Sequence, residues 1–564
     1  MTPTSSASAR EAVARHVRAT AEALWQIKLE NPYTRFASGL EVTSIPAGSL
    51  EEAANDASRA TTLLDGLRDI DEDMLGETDR LTLGFLRHDL GQLAQAERAW
   101  LHASPVTPYS SMHFGYYAHH LLAGRTVDSA QALDLLGGLW SDLARAIKTV
   151  VERIVVQASQ GLRLARPALP IAIAGWTQMR ELLVGMLDRS RARSAGALAS
   201  RWADTAQRLQ QHELMPALEA VISALADPTY GEQAPDAVGL MHQPGGEAEY
   251  RRLLLTHLTV HDEPDRIHAV GLSEVERLAE GMREIRGRLG FHGSEAEFHA
   301  RLKVDPRVIA SSADDVAHRY LRAMRRLEPL LPDWFHRQPR SPYGVERLAP
   351  EQEAGMTYGY YDKPRAIGER GVYRYNASNL ENRSQLQVAP LIYHELAPGH
   401  HFHIARQMEL EHLPTLRRQG LELSVFNEGW AEYASGLAGE MGLYDDPYDL
   451  YGRLVHERFT AQRLVVDTGM NAMGWSLEQA RSYMREHTME GEAQIASETL
   501  RYATDMPAQA LAYRLGYLWF TELRQDTQAR RGAGFDVRDF HEAVLSEGAL
   551  PLPLLREHLE RVLP

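Results

Sequence analysis

The chain has no cysteine among its 564 residues. That excludes disulfides, thiolate metal ligands and thiol nucleophiles together, so any metal must rest on His and carboxylate groups. It also has no uninterrupted apolar run of the ~18 residues that a membrane-spanning helix needs. Residues 1–31 contain no apolar segment or cleavage pattern of the signal-peptide kind. A basic excess is missing as well: 60 Lys and Arg stand against 76 Asp and Glu, a formal net charge of −16. Without a basic stripe the chain is not expected to bind nucleic acid. Strand-like alternation is almost absent, and there is no internal repeat or low-complexity tract. These absences lead to the expectation of a soluble, cytoplasmic, non-membrane protein with a small-molecule partner.

What is present is mostly helix. Residues 8–30 have the period of an amphipathic helix, stopped at Asn31-Pro32. From Ser49 to about Leu225 apolar residues recur with a 3.6-residue period, as at Leu81, Leu83, Phe85, Leu86, Leu90 and Leu93 and from Ala130 through Val156. Residues 227–247, rich in Pro and Gly, predict a loop or lobe boundary. Helices return from Tyr250 to about Leu331, and 332–358 is predicted to be irregular. Gly371–Asn376 is the one clear strand candidate, with Gly359–Asp362 before it; it reads equally as a structural hairpin or as an edge to which an extended peptide adds. Helices resume from Leu386. The predicted fold is all-α with one small sheet. Residues 1–230 form a helical lobe, 231–340 a helical middle segment and 341–564 a metal-binding lobe.

The chemistry concentrates in Tyr393–His403, which holds His394, Glu395, His400, His401 and His403. A His-Glu pair with further His downstream is similar to the H-E-x-x-H zinc helix, but four residues after His394 stands Pro398. On a straight helix, turning about 100° per residue, only His401 would return roughly to the face of His394. Pro398-Gly399 is where a helix kinks or breaks, and a bend there is needed to swing His400 towards His394. Glu428 offers a third ligand, and Glu432, one turn further on the same face, competes with it. His119-His120 has no carboxylate at ligand spacing and is read as a packing or surface pair.

Tyr393 through His401 matches the pattern Tyr-His-Glu-x-x-Pro-Gly-His-His, Glu428–Ala431 matches Glu-Gly-Trp-Ala, and Asp467–Gly469 matches Asp-Thr-Gly. With Arg501, Pro507–Ala510, Tyr513–Gly516, Phe540-His541 and Leu545–Pro551, these elements make the chain resemble the domain-of-unknown-function family numbered 885. The resemblance is firm from about residue 250 onward. Members of that family look like distant relatives of the gluzincin metallopeptidases. The resemblance implies a mostly helical, two-lobed zincin, with a cleft and the small sheet near the metal site. It also implies a metal on His394, His400 and Glu428, with Glu395 as general base. Two positions depart from the family pattern: His403 replaces a Gln, and Asn471 stands where a His is usual. Both departures bear on substrate preference.

The implied cofactor is Zn2+ or another divalent ion, and the simplest chemistry is hydrolysis of an amide in a short peptide or amino-acid conjugate. Glu395 takes a proton from water, the hydroxide attacks the carbonyl, and Glu395 returns the proton to the leaving amine. Tyr513 is the expected donor to the oxyanion by similarity to the gluzincin tyrosine, with Tyr361 behind it. Arg501 is a candidate for a substrate carboxylate or a structural ion pair; His401 and Gln509 complete the expected substrate contacts. The rivals are a C–N lyase or biosynthetic tailoring hydrolase on the same site, and an inactive binding module.

Overall fold

The computed structural model describes residues 3–191, 196–349, 353, 358–420 and 423–564. About 70% of the chain is helical, with one three-stranded sheet, as the apolar periodicity predicts. The first helix, Pro3–Lys28, stops where expected. Asn31 then starts Pro32–Ala37: its side chain accepts from the Tyr33 and Thr34 amides, and Pro32 takes the first turn, where an N–H is not needed.

Two large cores organise the helices. One gathers Trp140, Trp176 and Trp202 with Leu136, Leu183 and Val221, so helices Ala130–Ser159, Leu169–Arg191 and Met215–Ala226 pack on one another. The other joins Val17, Leu24 and Leu86 from the first ninety residues to Tyr393, Phe402, Trp430, Phe520 and Phe540. The N-terminal helices therefore buttress the half that carries the chemistry. Segment 227–247 is no free linker. It includes the helix Pro228–Gln233, and the Leu240 amide donates to the Asn471 side chain at 3.0 Å.

The sheet holds β1 (Tyr343–Arg347), β2 (Gly359–Asp362) and β3 (Gly371–Tyr375) in the order β1-β3-β2. β1 runs parallel and β2 antiparallel to β3. Two corrections follow. β3, read as a possible edge for a peptide, is the central strand with both sides paired, so the free edges belong to β1 and β2. β1 lies inside the stretch predicted to be irregular, of which residues 350–352 and 354–357 are outside the described ones. Its only buried residue is Gly344, and Glu346 and Arg347 are exposed. No apolar stripe marked it; the ladder with β3 makes it a strand.

Helices Ser424–Glu440 and Leu511–Arg531 touch backbone to backbone. A Cβ on Gly429 would come within 2.7 Å of Gly516 Cα, and one on Gly516 within 2.5 Å of Gly429 Cα. Gly429→Ala must push these helices apart, and overpacking of this kind costs ~1–3 kcal/mol. The variant is expected to melt about 1–3 °C lower in calorimetry; an unchanged melting temperature would mean that the helices slide without penalty.

Candidate metal centre

Helix Val388–Glu395 ends after Glu395, and a second helix, His400–Met408, begins after a four-residue break. The break contains Gly399, where a Cβ would fall 1.9 Å from the His394 carbonyl oxygen, and the cis Ala397–Pro398 bond. Only glycine lets the chain double back so closely. Trp430 pins the break by donating from Nε1 to the Pro398 carbonyl at 2.9 Å. The bend required by the spacing is present, and it brings the His394 and His400 rings to 4.6 Å, nearly perpendicular at 84°.

Glu428 Oε2 lies 3.4 Å from His394 Nε2 and 3.3 Å from His400 Nε2. The three donor atoms all fall within 4.8 Å of one another. A tetrahedral zinc with bonds of ~2.0–2.2 Å holds neighbouring donor atoms about 3.3–3.5 Å apart, so this set fits such an ion. Glu428 Oε2 is buried without a hydrogen bond, an arrangement expected to be costly unless a cation is shared. Burial alone would raise the Glu428 carboxyl, yet the His400 and His394 imidazoles hold it well below the usual carboxylate range. Burial opposes charge on His394 too, but Glu428 and Glu432 outweigh it and push that imidazole up to about 10. The centre attracts positive charge.

Glu432 sits on the other side of His394, its Oε1 3.2 Å from Nδ1. The same oxygen takes a 2.7 Å hydrogen bond from His456 Nε2, and Oε2 lies 3.5 Å from Arg453. Arg453 continues to Glu457 at 2.9 Å, and Glu457 to the fully buried Arg514 at 2.8 Å. His394, Glu432 and His456 also come close enough to form a second ligand-like group, but the Arg453 guanidinium beside them disfavours a cation there. Glu432 thus faces His394 Nδ1 while Nε2 faces Glu428, the place of a carboxylate that would orient a metal-holding imidazole. Spacing alone could not detect His456, which enters from the helix Pro447–Ala472. Glu432→Gln is expected to weaken metal affinity ~10–100-fold, the usual worth of an outer partner, in a chelator competition. Unchanged affinity would remove that role.

Glu395 is half-buried one position after His394. Burial pushes its carboxyl up, partly offset by the His394 and His400 charges. The Tyr513 ring lies parallel to His394, 6.1 Å away at 9°. The Arg463 guanidinium covers its other surroundings at 4.7 Å, and Gln509 bonds its hydroxyl. Tyr361 OH donates to His401 Nδ1 at 2.9 Å, while His401 Nε2 donates to the Ser341 carbonyl at 2.9 Å. His401 is thus fully buried beneath the sheet, pulled down to about 4 by burial and held neutral. The structure places it there as a clasp between helix and strands rather than against a substrate, and it occupies the Tyr361 proton. Arg501 lies 3.7 Å from Glu498 and lines a cleft of about 1540 Å³ between 501–506 and the segments 26–59, 89–117 and 145–153.

Of the two departures, His403 lies beside the centre, its ring 5.8 Å from His400, buried with neither nitrogen hydrogen-bonded. Asn471 is a packing residue: its amide donates to the Asp467 and Tyr502 carbonyls, both at 3.0 Å, besides holding Leu240. His119-His120 packs against Tyr116 and Phe36.

Fold and site together define a mostly helical protein with a buried centre of two imidazoles and one carboxylate. The chain belongs to the family of bacterial proteins of unknown function called DUF885, whose model matches residues 32–559. A crystal structure from Colwellia psychrerythraea, of a protein described as a "putative lipoprotein", superposes with a TM-score of 0.85 at 23% identity, covering 98% of this chain and 99% of that one. A protein of unknown function from Shewanella oneidensis, described in the same way, gives 0.72 at 15% identity over 97% and 99%. These likenesses concern the fold. No curated protein matches the chain. Among the described residues no helix is long and apolar enough to cross a membrane.

Proposed function

We propose that this protein is a metal-dependent hydrolase, similar in its site to gluzincin metallopeptidases, that cleaves an amide bond in short peptides or amino-acid conjugates. The observation that carries the reading is Glu428 Oε2 standing 3.4 and 3.3 Å from two imidazole nitrogens, with Glu395 on the adjoining helical turn. His394, His400 and Glu428 would hold zinc or another divalent ion, which supplies Lewis acidity and eases deprotonation of water. Glu395 accepts the water proton and hands it to the leaving amine. Its burial moves its pKa towards working pH, where a general base is most effective. Tyr513, with a hydroxyl bonded to Gln509 and a ring steadied by Arg463, donates to the oxyanion. Arg501, only loosely paired with Glu498 at 3.7 Å and lining the cleft, receives a substrate carboxylate. Incubation of the metal-loaded protein with a short-peptide library in H2 18O tests the reading. One 18O in the new carboxylate of each cleavage and none in the released amine, abolished by a chelator and restored by zinc, is the expected result; alkene products mean elimination, and no turnover with metal bound rejects hydrolysis.

A further inference from the structure

The cleft of about 1540 Å³ lined by Arg501 has the guanidinium of Arg153 in its wall as well. Arg153 comes from helix Ala130–Ser159 and lies over the Trp100 ring at 5.0 Å. Trp100 is itself fixed by a 2.8 Å bond from its Nε1 to the Gly48 carbonyl. Arg153 Nη2 donates to the Ala103 carbonyl at 2.7 Å, which leaves Nη1 unbonded and Nε buried without a partner. Lys28, Arg59 and Arg145 in the same wall have carboxylate partners at 3.0, 2.6 and 2.9 Å. Among the described residues none comes within ion-pair distance of Arg153, and burial, with no charge to oppose it, pulls its guanidinium down to about 10. A partly buried cation without a counter-ion is costly, and an incoming carboxylate would relieve it. One loop joins Arg153 to Arg501. Ala103 holds Arg153; four residues on, the Thr107 hydroxyl donates to Asp505 Oδ1, as does the Tyr109 amide at 3.2 Å. Asp505 closes the short helix that Arg501 opens. Ala103 and Thr107 are at most ~14 Å apart, so both guanidiniums fall along one short stretch of the cleft.

We propose that Arg153, laid on Trp100, is a second carboxylate subsite of the cleft, so that its ligands carry two carboxylates, one on Arg501 and one on Arg153. The substrate class is then an acidic peptide or amino-acid conjugate with a Glu or Asp side chain. Calling these ligands substrates rests on the hydrolase reading; the subsite itself does not. A guanidinium whose face is covered presents its edge, and Nη1 with the second N–H of Nη2 can take a carboxylate in two parallel hydrogen bonds. A ligand with one carboxylate leaves Arg153 unpaired and binds less well.

The test uses the metal-loaded full chain and straight-chain dicarboxylates from glutarate to dodecanedioate, each beside the monocarboxylate of the same length. None has an amide bond, so calorimetry reads affinity without turnover, and this experiment and the peptide screen fail independently. In the wild type at least one dicarboxylate should bind ~10–100-fold more tightly than its monocarboxylate, the range for a hydrogen bond to a charged group. In Arg153→Gln that preference should fall below about threefold with monocarboxylate affinities unchanged, while Arg153→Lys keeps part of it and serves if the Gln variant does not fold. Equal affinity for both members of every pair in the wild type, or a preference that survives in Arg153→Gln, would show Arg153 to be only a tie between Trp100 and Ala103. Tighter binding of inorganic phosphate than of any dicarboxylate, lost in Arg153→Gln, would overturn the carboxylate assignment.

Discussion

Glu395→Gln is expected to abolish most turnover while leaving the metal in place. Glu395 follows His394 directly, so its side chain leaves the helix about 100° from the ligand and cannot share an ion in the same way. Glutamine keeps the shape and hydrogen-bonding length of the side chain but takes up no proton. Loss of a positioned acid–base group lowers rates by ~10²–10⁴-fold. The measurement is kcat on the best peptide from the library together with elemental analysis of the same preparation. A wild-type rate means that another group is the base. Loss of metal means that Glu395 is itself a ligand and the centre has to be redrawn.

The second large effect concerns occupancy. Glu428→Ala removes the one oxygen approached by both imidazoles, and His394→Ala removes Nε2 and at the same time frees Glu432 from its Nδ1 contact. Each variant should lose metal affinity by more than the ~10–100-fold that an outer partner is worth. After dialysis against a weak chelator the wild type should keep close to one ion per chain and either variant almost none. A ligand present at a hundred times its Kd stabilises the fold by ~2.7 kcal/mol, so added zinc should raise the melting temperature of the wild type alone. Retention of a full ion by Glu428→Ala would move the third ligand to Glu432.

Much of this was legible in residue order. The 3.6-residue apolar period announced helices such as Glu77–Leu93, because a helix that buries one face must repeat its apolar residues along that face. Pro398-Gly399 announced the break between His394 and His400, because neither residue sustains an ordinary helix at that point. The composition confined any metal to His and carboxylate ligands. Other features depended on the packing of distant elements. Straight-helix arithmetic set His401 beside His394; once the chain breaks, His400 turns inward and His401 points to Ser341 and Tyr361. Glu428 and Glu432 share a helix face, so only the side of His394 that each one meets separates a candidate ligand from a candidate orienting group. His456, Arg453 and the strand β1 carry no local signature, because their roles come from partners tens to hundreds of residues away. Local order thus determined the kinds of side chain on offer to a metal, the helices and the break. Tertiary packing decided which nitrogen and which carboxylate face each other, since helix spacing fixes directions along one element and says nothing of the neighbour it meets.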